Sequence, residues 1–231
     1  LAARVDWAER NGSTLTLPGT EPGHRYLIAD ARGGRTAAGA PSASAAHLAS
    51  PSNAWDYLII AGPGLEAASE RLAAHRRAAG HEALVIPVGD IFDAFGSGTG
   101  GPEPIQRFLA YARDHWTVPP AYVALAGDGT YDYQNQLGYN DSLILPALAP
   151  TPNGLFASDA AFADPDGDGA PELAVGRLPA RTAAELTAII DKIIAYEADA
   201  GPWSAEAFLL ADNPDGGGRF DTDTDAVAAS L

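Results

Sequence analysis

SDAAFADPDGDGAPELAVGRLPARTAAELTAIIDKIIAY, residues Ser158–Tyr196, holds three elements in a fixed order. An acidic loop punctuated by glycine comes first, with Asp164, Asp166 and Asp168 at every second position and Gly169 behind them. A short apolar run, Glu172–Leu178, reads as a buried strand. A long helix closes the stretch. Thr182 suits its N-cap, and Glu185, three residues on, completes a capping box. Leu186, Ile189, Ile190, Ile193 and Ile194 then recur at helical spacing and make one apolar face.

A buried strand feeding an amphipathic helix is the unit from which parallel sheets are built. The same unit recurs upstream. DYLIIAGPG, from Asp56, is a continuous apolar run closed by Gly62-Pro63-Gly64, as expected of a strand buried on both faces. Leu65–Ala79 reads as a helix with Leu65, Ala68, Leu72, Ala73 and Arg76 on one stripe and Gly80 as its stop. A second strand follows at Ala83–Val88, then a loop through Gly89-Asp90 and the glycines of 96–101. Prolines 102 and 104 open a second helix, whose face is Ile105, Phe108, Leu109, Ala112 and Trp116. Ala121–Gly129 is the third apolar strand and ends in Gly-Asp-Gly. The pattern βαβαβ predicts an α/β fold, a parallel sheet covered on both faces, with its functional loops beyond the carboxyl ends of the strands. The excursion from Thr130 to Asp159 is long for a compact domain and reads as functional or specially packed.

Residues 1–54 read as the end of a β module plus a linker. Thr14–Leu17 alternates and Arg25–Ala29 is a second short strand; 31–54 is rich in Gly, Ala, Ser and Pro without periodicity. Residues 55–200 form the first α/β subdomain. After Gly201-Pro202-Trp203 the apolar run Ala207–Asn213 predicts a strand, and Asp221–Leu231 a helix. Residues 201–231 thus read as the start of a second, incomplete α/β unit.

Composition excludes several function classes. The net charge of −16 argues against nucleic acid as a partner, since phosphate binding needs clustered Lys and Arg. With 46% hydrophobic and 19% charged residues, the 231-residue chain can bury a sizeable core. No stretch reaches the roughly eighteen consecutive apolar residues of a membrane span. There is no Cys and no Met. The chain therefore supplies neither a disulfide nor a cysteine nucleophile, and the lack of Met at position 1 makes it read as an excerpt of a longer polypeptide.

The loop at Asp164 matches the first half of a calcium loop, with Asp at relative positions 1, 3 and 5 and Gly at 6. Calcium takes six to eight oxygens, and Asp164, Asp166, Asp168 and Glu172 are the candidate ligands. Position 12 is Val175 where a bidentate Glu is required, and no helix is expected before the loop. The same residues equally suit a solvated acidic turn. Asp128 and Asp132 follow the third strand. Either they are paired carboxylates for acid–base work, or they bind backbone N–H groups of the turn. The dinucleotide fingerprint, the phosphate-binding P-loop and the G-x-S-x-G elbow are absent. His24, His47, His75, His81 and His115 are scattered, without zinc spacing.

Four stretches in this order resemble the gingipain-type cysteine peptidases of bacteria. They are DYLIIAGPG; YVALAGDGTYDY (Tyr122–Tyr133); the acidic loop with its strand and helix; and FLLADNPD. The resemblance is most specific in Gly127–Asp132 and in Gly176-Arg177-Leu178-Pro179. It implies a caspase-like, Rossmann-like three-layer subdomain and a secreted or surface-exposed bacterial protease with stabilising calcium. Its substrate would be a peptide or protein, cut by a Cys–His dyad. The family's histidine sits in a Gly-His-Gly type motif, and neither that motif nor a Cys occurs here. In the family both lie on the second subdomain, beyond the segment resembled by Ala207–Leu231, so no catalytic residue is assigned. The calcium loop carries over, and Asp128 and Asp132 are expected to support neighbouring active-site loops. Two rivals remain: a non-catalytic, secretion-linked or cell-surface calcium-binding relative of the same fold, and an unrelated flavodoxin-like binding domain.

Overall fold

The structure, a computed structural model, describes residues 9–11, 14–16, 45–133, 135–139, 143–152, 154–199, 201 and 206–230. The chain divides into two compact units, Leu1–Ala40 and Pro41–Leu231. In the first, β1 (Glu9–Asn11) pairs antiparallel with β2 (Thr14–Thr16), where alternation predicts a strand. The strand expected at Arg25–Ala29 lies outside the described residues.

The second unit is the α/β fold. Its elements in order are β3 (Tyr57–Ala61), α1 (Glu66–Ala78), β4 (Ala83–Pro87), α2 (Val88–Gly96), α3 (Pro102–His115) and β5 (Tyr122–Ala126). Then come β6 (Leu148–Thr151), β7 (Gly154–Ala157), α4 (Ala160–Ala163), β8 (Ala174–Leu178), α5 (Ala183–Ala198) and α6 (Phe220–Ala228). The central sheet has the order β4-β3-β5-β8, and every pair in it is parallel.

Side-chain alternation along the strands assigns the two layers. Leu58, Ile60, Val123 and Leu125 face α2 and α3, and pack on Ile105, Phe108 and Leu109. Ile59, Ala124 and Ala126 face the other way, onto Leu72 and Ala73 of α1 and Leu186 and Ile190 of α5. Each of these is buried. A buried Leu, Ile or Phe is worth about 1.5–3 kcal/mol of transfer free energy, so these two layers dominate the stability of the unit.

Among the described residues β8 is the last strand on its side of the sheet. Crossings between parallel strands are right-handed in nearly all proteins. The crossing from β3 to its neighbour β4 runs through α1, on the face that α5 also occupies. A right-handed crossing through α5 would lead back toward β4, over positions already filled, and not outward past β8. Ala207–Asn213, expected as a strand, is exposed and pairs with none of the described strands, with Phe208 82% and Leu210 94% accessible.

Three further expectations need correction. The loop expected through Gly89-Asp90 is helix α2. Val88, Ile91, Phe92 and Phe95 stand at i, i+3, i+4 and i+7, and the helix stops at Ser97 in the left-handed region. β8, read as a buried strand, is an edge strand; Ala174 and Gly176 are exposed. The end of the expected linker is packed: a 3-10 turn at Ala45–Ala49 buries Leu48 completely, and Trp116 Nε1 donates to the Leu48 carbonyl at 3.0 Å. The capping box of α5 is present as expected. The Thr182 hydroxyl accepts from the Glu185 amide at 3.2 Å, and the Glu185 carboxylate accepts from the Thr182 amide.

Candidate functional site

The expected site residues fall at two opposite ends of the sheet. Asp128 and Asp132 follow β5, at the carboxyl ends of the strands. The acidic loop 164–172 precedes β8, at the amino ends. With Tyr122 level with Ala174, the two groups are separated by the length of a five-residue strand, about 16 Å. The structure does not bring them into one site.

At the carboxyl ends, the turn after β5 is fixed mainly by backbone groups. The Asp128 amide donates to the Ala180 carbonyl, and its carbonyl accepts from the Leu143 and Ile144 amides at 2.9 and 3.0 Å. Its side chain accepts from the Gly129 amide at 2.9 Å and from Arg181 Nε at 3.0 Å. The Asp132 carboxylate accepts the amides of Gln136 and Leu137 at 2.8 and 2.7 Å. Neither carboxylate faces the other across a hydrogen bond. Of the two readings of these residues, the geometry favours turn-building over an acid–base pair.

Sequence reasoning missed the residue that ties this end together. Arg177, on β8, donates from Nε and Nη2 to both oxygens of Asp159 at 2.7 and 2.8 Å. Its Nη1 donates to the carbonyls of Gly127 and Ile144, each at 2.9 Å. One guanidinium thus joins four parts of the chain: β8, the turn after β5, the 143–146 segment and the residue before α4. A bidentate fork with further donors is a geometry that arginine alone provides. The available signal was the Arg in an apolar strand, within Gly176-Arg177-Leu178-Pro179. The long excursion 130–159 contains a β-hairpin, in which Leu148 is level with Ala157 and Thr151 with Gly154. Tyr131 Oη accepts from the Ala157 amide at 2.8 Å, and the Tyr133 hydroxyl donates to the Pro146 carbonyl. Burial, and then Glu103 nearby, push the Tyr133 hydroxyl pKa up.

At the amino ends, one ligand oxygen from each of Asp164, Asp166, Asp168 and Glu172 lies within 4.8 Å of the others. Calcium–oxygen bonds are about 2.3–2.6 Å, so ligands on opposite sides of one ion stand nearly that far apart. Four hard carboxylate donors fit the cation in kind and in spacing. The loop also holds itself. Asp164 accepts the amides of Gly167, Asp168 and Gly169, and Asp168 accepts that of Ala170 at 2.8 Å. A single helical turn, α4, precedes the loop, where no helix was expected. Arg113, from the end of α3, stands beside the cluster with Nη1 3.0 Å from Asp166 and 3.6 Å from Glu172. Asp114 first, and then Asp166 and Glu172, hold the Arg113 pKa above its usual value.

The amino end also carries an ion-pair group on α5. Glu197 of α5 accepts from both Nη atoms of Arg76 at 2.8 Å and lies 2.7 Å from His75 Nε2, which joins α5 to α1. Arg76, then His75, hold the Glu197 carboxyl below its usual range. The guanidinium of Arg76 also lies 5.3 Å from the Tyr57 ring centroid.

The profile of Peptidase family C25 matches residues 50–231. The chain belongs to this family. C25 peptidases are cysteine peptidases that act on protein. The fold is similar to that of dimeric latent PorU from Porphyromonas gingivalis, at 26% identity and a TM-score of 0.56, over 69% of this chain and 17% of that one. It is also similar to the Arg-specific cysteine proteinase gingipain R, at 18% identity and a TM-score of 0.52, over 78% of this chain and 38% of that one. The second likeness shows the fold alone. The chain therefore spans well under half the length of either structure. No curated protein matches the sequence significantly. Among the described residues no helix is long and apolar enough to cross a membrane.

Proposed function

We propose that residues 50–231 serve a secreted or surface-exposed bacterial cysteine endopeptidase of the C25 family as its non-catalytic α/β part. The Cys and His would come from outside these 231 residues. The C25 match over nearly the whole α/β unit carries this reading, and the lack of any Cys directs it to a supporting role. Asp128 and Asp132 then shape the loops at the carboxyl ends of the strands, where α/β proteins place their sites. Cleavage of an internally quenched peptide library tests it. The chain alone leaves the library intact. A longer polypeptide that adds the missing dyad cleaves it and loses activity to a thiol alkylator. Cleavage by the 231-residue chain itself would overturn the assignment.

A second reading is that the protein is a calcium-binding relative without peptidase activity. The carboxylate cluster at Asp164, Asp166, Asp168 and Glu172 favours the metal in either case. Its distance from the carboxyl ends of the strands supports a structural role for such an ion, at the entry to β8 beside α3. Calcium binding to sites of this type stabilises the folded state by mass action. Calorimetry with Ca2+ and thermal melts with and without chelator test the site. Heat of binding and a raised Tm are expected in the native chain and absent from Asp166→Asn/Asp168→Asn. Identical melts with Ca2+ and chelator would eliminate it.

A further inference from the structure

The β6–β7 hairpin stands at the carboxyl ends of the strands and leaves one side unpaired. Its pattern of hydrogen bonds can be worked out from two contacts. The Ser158 amide donates to the Ala147 carbonyl at 2.8 Å, so these partners face each other in a hydrogen-bonded pair. Pairing alternates in an antiparallel ladder. Ala149–Phe156 and Thr151–Gly154 therefore bond to each other, while Leu148, Pro150, Leu155 and Ala157 aim their backbone groups outward. The Ala157 amide confirms this by donating sideways to Tyr131 Oη.

The two outer edges differ. On β6 the outward positions are Leu148 and Pro150, and Pro150 has no N–H; proline is how natural sheets close an edge. On β7 the outward positions are Leu155 and Ala157; the Ala157 N–H is taken by Tyr131 Oη, while the Leu155 N–H and C=O have no partner among the described residues. The side chains there are apolar and accessible: Leu155 59%, Phe156 51% and, next to the strand, Tyr131 57%. The charge is one-sided. Residues 128–159 contain Asp128, Asp132, Asp141 and Asp159 and no Lys, Arg or His. Asp159 and Asp128 are paired with Arg177 and Arg181, whereas among the described residues Asp132 has only backbone amides opposite it.

We propose that the free edge of β7 docks an extended peptide, neutral or cationic and bearing apolar side chains, by strand addition. This rests on the reading of the protein as part of a peptidase that acts on protein chains. An open edge supplies main-chain hydrogen bonds whatever the peptide's sequence, and the flanking side chains select among peptides. The residual negative charge at Asp132 disfavours acidic segments, Asp128 and Asp159 being neutralised by their arginines. It also disfavours a second copy of this chain, which carries a net charge of −16. The peptide would lie across the carboxyl ends of the strands, where the turns of Asp128 and Asp132 are held.

Fluorescence anisotropy of the 231-residue chain with a labelled nonapeptide of alternating valine with threonine and lysine tests this. Saturable binding is expected. Versions N-methylated on the pairing side should bind about tenfold more weakly, the worth of two lost main-chain hydrogen bonds. A glutamate-for-lysine version should also bind more weakly. Leu155→Pro, which removes one outward N–H at a position the hairpin does not use, should weaken binding by about threefold, the worth of one lost main-chain hydrogen bond. Phe156→Ser, which leaves the backbone edge in place, should weaken binding by a smaller factor. Equal binding of the N-methylated and plain peptides would reduce the contact to apolar adsorption and overturn the proposal. So would no binding up to millimolar peptide, or a dimer in sedimentation that the peptide does not dissolve. Binding needs no Cys, so its failure leaves the peptidase reading standing. Conversely, a longer polypeptide that binds the peptide but cleaves none loses the peptidase reading alone.

Discussion

Replacing Arg177 by Met keeps most of the side chain's length and removes every donor. The wild-type guanidinium makes two hydrogen bonds to Asp159 and two to the carbonyls of Gly127 and Ile144. Its side chain is 15% exposed and that of Asp159 27%. In Arg177→Met the Asp159 carboxylate keeps its charge without its cation, and two carbonyls lose a charged donor. Breaking a fully buried pair on one side costs about 3–5 kcal/mol. Water reaches a quarter of the Asp159 side chain, so the lower end applies and the cost is about 2–3 kcal/mol. For a unit of this size that lowers Tm by roughly 5–10 °C. Lys can reach one acceptor group but cannot reproduce the fork and both carbonyl contacts, so Arg177→Lys should recover less than half. Asp159→Asn combined with Arg177→Met should cost clearly less than the two single changes added, because both act on one interaction. Urea unfolding followed by circular dichroism measures all three. A loss under about 0.5 kcal/mol for Arg177→Met, or a wild-type midpoint for Arg177→Lys, would refute the view that this residue fastens the carboxyl end of the sheet.

Thr182→Ala removes the acceptor for the Glu185 amide and should cost about 1 kcal/mol, whereas Thr182→Ser should be nearly neutral in the same unfolding assay. Gly129→Ala would set a methyl 2.5 Å from the Ile144 carbonyl oxygen, so a loss of about 1–3 kcal/mol is expected, with the 143–146 segment becoming more susceptible to limited proteolysis. Glu197 has a lowered folded-state pKa, so its contribution is present above the unfolded value near 4.3 and is lost as pH falls through the folded value. With Glu197 35% exposed, that contribution is about 1 kcal/mol or less. Glu197→Gln should destabilise the chain at pH 7 and reduce its loss of stability between about pH 5 and pH 3, read from melts across that range.

The amino-acid sequence by itself determined the alternation of strands and helices in residues 56–198. The signals are local: continuous apolar runs for β3, β4 and β5, the 3.6-residue stripes of α1, α3 and α5, and the capping box at Thr182. α2 was legible in the same way, through Val88, Ile91, Phe92 and Phe95, but Gly89 and Asp90 mask it as a loop. The absence of Cys also needs no structure. Tertiary structure alone decided what depends on partners far apart in the chain. β8 and Ala207–Asn213 are similar apolar runs, yet one is paired along one edge and the other is bare. Local pattern does not encode which of two such runs finds a partner strand. Arg177 meets Asp159 across the hairpin, and Arg113 meets Asp166 from another helix. The carboxylates of Asp128 and Asp132 turn to backbone amides instead of to each other. Periodicity and propensity are properties of neighbouring residues, whereas ion pairs, sheet edges and the two ends of a sheet exist only once the chain has folded back on itself.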